Sequence, residues 1–271
     1  MKKLSPEQER ETQERMVAPA HIVHEVIVRE GDEELERSPV GLAWSGFAAG
    51  FSIGLSLMTE GFIHLSLPES SWKHLVVALG YPIGFIALII ARQQLFTENT
   101  LRAVVPALAN PSRSSWIKVA RLWVVVLASN LVGAWLFSYL VARTPVFDPD
   151  VHESFKTLGT EAMKGEFGTI FVKAVFAGWI IALMSWMVSS AVHSKLAVIF
   201  LMTYLIGVCR LKHVIAGSVD TLYLVWAGGA TYGEYLMRFF LPTLLGNVLG
   251  GVLLVSIVNH AQATAGDSKQ K

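Results

Sequence analysis

Two long hydrophobic segments of this chain break off into polar residues at matching places. The first reads HLVVALGYPIGFIALIIA and gives way to RQQLFTENTLR over residues 74–102; the second reads LAVIFLMTYLIGVC and gives way to RLKHVIAGSVDT over residues 196–221. Each is the second hydrophobic segment of its half. Lipid cannot satisfy the polar groups of a backbone that leaves a helix, so such a break must line a cavity or be buried in protein. Paired interruptions at corresponding positions point to a solute site near the bilayer midplane. A channel or transporter is expected, not an anchor.

Composition agrees. Of 271 residues, 53% are hydrophobic and 16% charged, where a soluble domain carries roughly 25% charged. A span needs about 20 apolar residues, and the pattern predicts six, over 39–59, 74–91, 122–142, 174–192, 196–228 with its break, and 239–259. The fold expected is an all-α integral membrane protein. Residues 1–38 read as an N-terminal tail, 39–262 as the transport domain and 263–271 as a short polar C-terminal tail. Within the first tail, residues 5–15 are highly charged, and 18–29 are compatible with an amphipathic helix at the membrane surface or a solvated lead-in. Residues 151–165 can form a short helix between spans three and four. Lys2, Lys3, Arg10, Arg15, Arg29 and Arg37, with Arg102, Arg113, Lys118 and Arg121 after span two, outnumber the basic residues of the opposite loops. That bias places both termini in the cytoplasm, and a bacterial inner membrane is the natural setting. No signal peptide precedes the first span, and Cys209 is the single cysteine, so no internal disulfide forms.

The halves resemble each other. Ala49-Gly50-Phe51 matches Ala177-Gly178-Trp179, Tyr81-Pro82-Ile83-Gly84 matches Tyr204-Leu205-Ile206-Gly207, and Asn130-Leu131-Val132-Gly133 matches Asn247-Val248-Leu249-Gly250. Three spans per copy turn the second copy over, predicting an inverted 3+3 repeat with spans two and five broken. Gly46, Gly50 and Gly54 recur on one face of span one, a close-packing signal.

Ionisable residues inside spans are costly and usually face a pore or a partner. His213 sits in the second break, Thr97 in the first, and Lys173 opens span four. Thr97 and His213 are expected to meet from opposite breaks. Arg92, Arg210 and Lys212 add positive charge beside the pathway, which concentrates anions between low-dielectric walls. Glu98 and Asp220 are expected to be paired with these cations or bonded to backbone. No phosphate loop, metal-ligand cluster or nucleophile constellation appears, so no cofactor is expected and an enzyme is disfavoured. His21 and His24 lack further ligands nearby. No basic run suggests nucleic acid.

Leu95-Phe96-Thr97, Phe171-Val172-Lys173 leading to Gly178-Trp179 and Leu183, His213, and the Asn-x-x-Gly motifs at Asn130 and Asn247 resemble the formate/nitrite transporter family, and RQQLFTENT with the charged tail is most similar to its divergent YfdC-like branch. The resemblance covers most of residues 40–260. It implies a homopentamer, each protomer holding its own narrow apolar pore with constrictions on both sides of a central histidine. By position it implies Leu95, with Tyr81 or Phe85, and Ile206 as constriction residues. It implies His213 as the pore histidine, Thr97 as the pore threonine and Lys173 as the vestibule lysine. Family members move small monovalent anions such as formate and nitrite, in some cases with a proton. Four departures stand out. Arg92, Gln93 and Gln94 replace a small pair and an acidic residue. Lys212 stands where Glu often precedes the histidine, Gly217 where Asn often follows it, and Gly178 where Asn often precedes the tryptophan.

The expected function is passive or proton-coupled transport of a small monovalent anion. Alternatives are a non-conducting membrane scaffold or sensor on the same fold, and a channel for another small solute; an aquaporin-type channel lacks its two Asn-Pro-Ala turns here.

Overall fold

A computed structural model describes residues 5, 19–191 and 194–267. The charged stretch over residues 5–15 lies almost wholly outside the described residues, as does Val192. Among the described residues the fold is all-helical. Five helices are long and apolar enough to cross a membrane: α2 (Pro39–Ser66), α3 (Lys73–Ile90), α6 (Arg113–Arg143), α8 (Phe167–Ser190) and α11 (Tyr232–Ala265). The sixth predicted segment is a shorter apolar helix, α9 (Lys195–Val208), followed after its break by α10 (Ala216–Trp226). The corresponding pieces after α3 are α4 (Asn99–Arg102) and α5 (Val104–Ala109). Outside the spans lie α1 (Ala20–Glu36) and α7 (Pro149–Ala162).

Local chemistry starts these helices. Ser38 Oγ accepts the Gly41 N–H at the head of α2, with Pro39 in the first turn where its missing N–H costs nothing. Ser112 caps α6 in the same way, and Thr231 and Glu234 form a reciprocal capping box on α11. Several spans run beyond the expected bounds: α8 starts at Phe167 rather than 174, and α11 at Tyr232 rather than 239.

The two interrupted helices end alike. Arg92 and Arg210 sit in the left-handed region with φ of 54° and 49°. Gln93 N–H then reaches back to Leu88 carbonyl at 2.9 Å and Leu211 N–H to Ile206 carbonyl at 3.0 Å, satisfying carbonyls left open at a helix end. Residues 91–98 and 209–215 are non-helical. One asparagine braces each break. Asn130 donates to the Gly46 and Gln94 carbonyls (2.7 and 2.8 Å) and accepts from Phe96 N–H (2.9 Å). Asn247 donates to the Ala174 and Lys212 carbonyls (2.8 and 2.9 Å) and accepts from Val214 N–H (2.8 Å). This bonding pairs Gln94 with Lys212 and Leu95 with His213. It corrects one proposed match: Tyr81 precedes Arg92 by eleven residues whereas Tyr204 precedes Arg210 by six, so the two tyrosine motifs occupy different places.

Backbone contact joins α2 to α6 and α8 to α11. A Cβ on Gly50 would lie 1.9 Å from the Asn130 carbonyl oxygen and one on Gly178 2.2 Å from that of Asn247. Gly46, Gly50 and Gly54 all face α6, as their spacing suggested.

Two tail expectations need correction. The N-terminal helix runs to Glu36, and its apolar face meets protein: Val23, Ile27, Val28, Gly31 and Leu35 are buried, with Val23, Ile27 and Val28 packed against Leu101, Val105 and Val255. At the other terminus the helix continues to Asp267, with Ala263 buried. His24 and His260 share a 2.9 Å hydrogen bond, so the described termini lie together at one end, the tail end. The loop 67–72 and α7 lie at the far end.

Candidate solute pathway

The breaks meet at a single buried hydrogen bond. Thr97 Oγ1 and His213 Nε2 are 2.7 Å apart, and the two residues are 0% and 1% exposed. The other ring nitrogen, Nδ1, accepts the backbone N–H of Ala216 at 3.1 Å. A nitrogen that accepts cannot carry a proton, so this geometry selects the neutral ring with hydrogen on Nε2, donated to Thr97 Oγ1. The Thr97 hydroxyl hydrogen is then left to point elsewhere.

Apolar side chains close around this pair. Phe85, Leu95 and Ile206 are fully buried. The Phe85 ring stands edge-on to His213 with centroids 5.1 Å apart, and Tyr81 packs on Phe85 at 5.2 Å. Above them, a cavity of about 480 Å³ opens at the far end and reaches His213, lined by Tyr81, Ile206, Lys212, Asp220 and Phe239 among others. Phe239 explains one departure: a Cβ on Gly217 would lie 2.4 Å from its ring. The phenyl group fills the space a larger side chain would need, and a backbone N–H serves Nδ1. Gln94 explains part of another, since its Oε1 accepts from Asn99 Nδ2 at 2.9 Å.

The basic residues divide. Lys173 lies well inside α8 rather than at its start. It makes no hydrogen bond or ion pair among the described residues and is within electrostatic reach of Lys212. Arg210 pairs with Glu161 at 3.2 Å, and Lys212 Nζ donates to the Glu161 and Ala162 carbonyls at 2.9 and 2.7 Å. These two charges are thus held by the end of α7. Arg92 is exposed and does not line this far-end cavity. Glu98 is buried and bonded by Ser185 Oγ at 3.3 Å, with Arg102 4.0 Å away, rather than by the cations of the breaks or by backbone. Asp220, expected to be paired, makes no hydrogen bond or ion pair among the described residues. The sequence reading passed over Glu60, Glu161 and Phe239. Glu60 was open to discovery as an ionisable residue in an apolar span, whereas nothing in the sequence marks Phe239.

The comparisons with known proteins decide the family. A formate/nitrite transporter profile matches residues 21–261. The chain belongs to the formate/nitrite transporter family. It is 40% identical over 254 residues to the inner membrane protein YfdC of Escherichia coli strain K12, covering 92% of this chain and 81% of that protein. It is 23% identical to the formate channel BtFdhC of Bacillus thuringiensis, covering 88% and 93%. Its fold is shared by a solved FNT family ion channel, with TM-score 0.71, 19% identity and coverage of 88% and 96%. It is also shared by a pentameric formate channel with formate bound, with TM-score 0.68, 18% identity and coverage of 81% and 95%. The family consists of transporters and channels, not enzymes.

Proposed function

We propose that this formate/nitrite transporter family member conducts a small monovalent anion of the formate/nitrite class through a pore in each protomer, with Thr97 and His213 at its centre. The carrying observation is the buried Thr97–His213 bond between two helix breaks, walled by Phe85, Leu95 and Ile206. An anion pays a large desolvation cost to pass such walls. The Lys173 ammonium, which has no ion-pair partner among the described residues, draws it in, and a weak acid crosses as its neutral form. His213 acts here as a hydrogen-bond donor: its Nε2–H is given to Thr97 Oγ1, and the threonine hydroxyl is given to a solute oxygen. The proton of a neutral acid comes from elsewhere, because the Nδ1 lone pair is already engaged by Ala216. Tyr81 and Ile206 line the approach, and Lys212, Arg210 and Arg92 set the charge around it rather than touching the solute.

The likeness to a pentameric formate channel and to YfdC supports a homopentamer in a bacterial inner membrane. The excess of Lys and Arg in the tail-end segments supports cytoplasmic termini. Purified protein reconstituted in liposomes is tested by concentration jumps of formate, nitrite, acetate, lactate and chloride between about pH 5 and pH 8. A pH-dependent flux for one weak-acid anion, reduced by His213→Phe, is the expected result. Equal flux and pH profile in that variant would falsify the central role of the histidine, and no flux for any anion from folded oligomer would remove the transport reading.

A further inference from the structure

The far-end cavity has an unexpected charge pattern. Its basic side chains are engaged: Lys73 by Glu69 at 2.6 Å, Arg210 by Glu161, and Lys212 by the last carbonyls of α7. Two carboxylates are not. Glu60, from the second half of α2, and Asp220, from α10, both line the cavity and make no hydrogen bond or ion pair among the described residues. The two helices pack on each other. The Tyr81 and Lys212 side chains line the same cavity as the two carboxylates. Tyr81 is 8% exposed, lines the same cavity and makes no hydrogen bond through its hydroxyl among the described residues. His64, beside the Glu69–Lys73 pair, lies at the outer rim, and His213 lies at the floor with both ring nitrogens occupied.

We propose that Glu60 and Asp220 hold one proton between them, with Tyr81 as a hydrogen-bond partner, and give it to the weak-acid anion arriving from the far end. Two carboxylates lining one cavity between low-dielectric walls cannot both stay charged cheaply, and when close they titrate as a unit. The positive charge of Lys173, which has no ion-pair partner among the described residues, and of Lys212 in the cavity wall keeps the anion in this cavity. In the transfer, an O–H bond of the carboxyl pair breaks and an O–H bond of the solute forms. The neutral acid moves on past Phe85 and Leu95 to Thr97, and the pair, now doubly charged, regains a proton from cavity water. This assignment rests on the reading of the cavity as the solute entrance, and it supplies the proton that His213 does not.

Two measurements on the full-length reconstituted protein test it. The first needs no substrate: infrared difference spectra between about pH 5 and pH 8 should show the carbonyl stretch of a protonated carboxyl that titrates in that range. The band should be lost in Glu60→Gln and in Asp220→Asn and recovered in Glu60→Asp. A wild-type spectrum without it, or a band untouched by both variants, overturns the shared proton. The second follows formate flux and lumenal pH together. Protons entering with formate should fall about tenfold in Glu60→Gln and Asp220→Asn at the alkaline end, as for loss of a positioned general acid, and less at the acid end. Formate and proton entry that are both unchanged in both variants at the alkaline end overturn the transfer step. A wild type that titrates in the infrared yet passes no weak acid keeps the shared proton and removes the transport reading instead.

Discussion

The Thr97–His213 pair divides two roles between two side chains. His213 fixes direction, because the Ala216 N–H sets which ring nitrogen donates; in the proposed pathway Thr97 presents the hydroxyl to the solute. Thr97→Val keeps the volume and removes that hydroxyl. Formate flux in proteoliposomes should fall about tenfold, the worth of one hydrogen bond in the pathway, while Thr97→Ser keeps most of it. Equal flux in the valine variant would separate the threonine from the solute. The asparagines carry structure at the same scale. Asn247→Ala strips the Val214 N–H and the Ala174 and Lys212 carbonyls of their partners at once. A loss of about 2–4 kcal/mol is expected, read as a drop in the thermal midpoint of the purified oligomer. Asn130→Ala should cost a similar amount because its bonds are the same in kind.

At the scale of elements, the breaks depend on how α3 and α9 stop. Both end on an arginine in the left-handed region, where a side chain costs about 1–2 kcal/mol relative to glycine. Arg210 returns part of that through Glu161. Arg92 is exposed, and its guanidinium makes no hydrogen bond or ion pair among the described residues. Arg92→Gly should therefore raise the thermal midpoint, by a stabilisation of about 1 kcal/mol. A destabilised variant would mean that Arg92 is bonded across the assembly or to lipid headgroups. The glycine crossings set the rest of the element geometry. With Gly50 and Gly178 pressed on the asparagine backbones, each asparagine reaches both the neighbouring helix and the break.

At the scale of the molecule, α1 ties the tail end together. Arg121 donates to the Leu35 carbonyl, Lys118 bonds Glu36, and a Cβ on Gly31 would lie 2.0 Å from the Arg102 carbonyl oxygen. The Lys118 ammonium holds the Glu36 carboxyl below its usual range of about 4.5. A depressed carboxylate contributes above its unfolded value and loses that contribution as pH falls through the folded one, so acid loosens this end of α1. Ile27 is fully buried under α1, and Ile27→Ala should cost about 2–4 kcal/mol. That cost belongs to the helix rather than the bundle. Amide exchange should speed up over residues 20–36 and stay slow in α6 and α8. Uniformly faster exchange would instead make α1 part of the global fold.

Much of this protein is legible without coordinates. The apolar runs, the two breaks, the Asn-x-x-Gly and four-residue glycine spacings, and Thr97, Lys173 and His213 as candidates all follow from one physical rule: lipid solvates neither charge nor open backbone. Local patterns obey it and so announce themselves. Other features depend on which surfaces meet, and no local pattern carries that. The repeat register follows from Arg92 and Arg210 sharing a backbone conformation, not from the similar tyrosine motifs. The tautomer of His213 follows from one N–H three residues on. The apolar face of α1 could have met lipid, and only the packing against Leu101 and Val255 decides that it meets protein. Likewise, the sequence supplies the charges around the far-end cavity, but only the tertiary structure engages its cations through Glu69 and α7 and leaves Glu60 and Asp220 lining the same cavity, because pairing depends on distances between residues far apart in the chain.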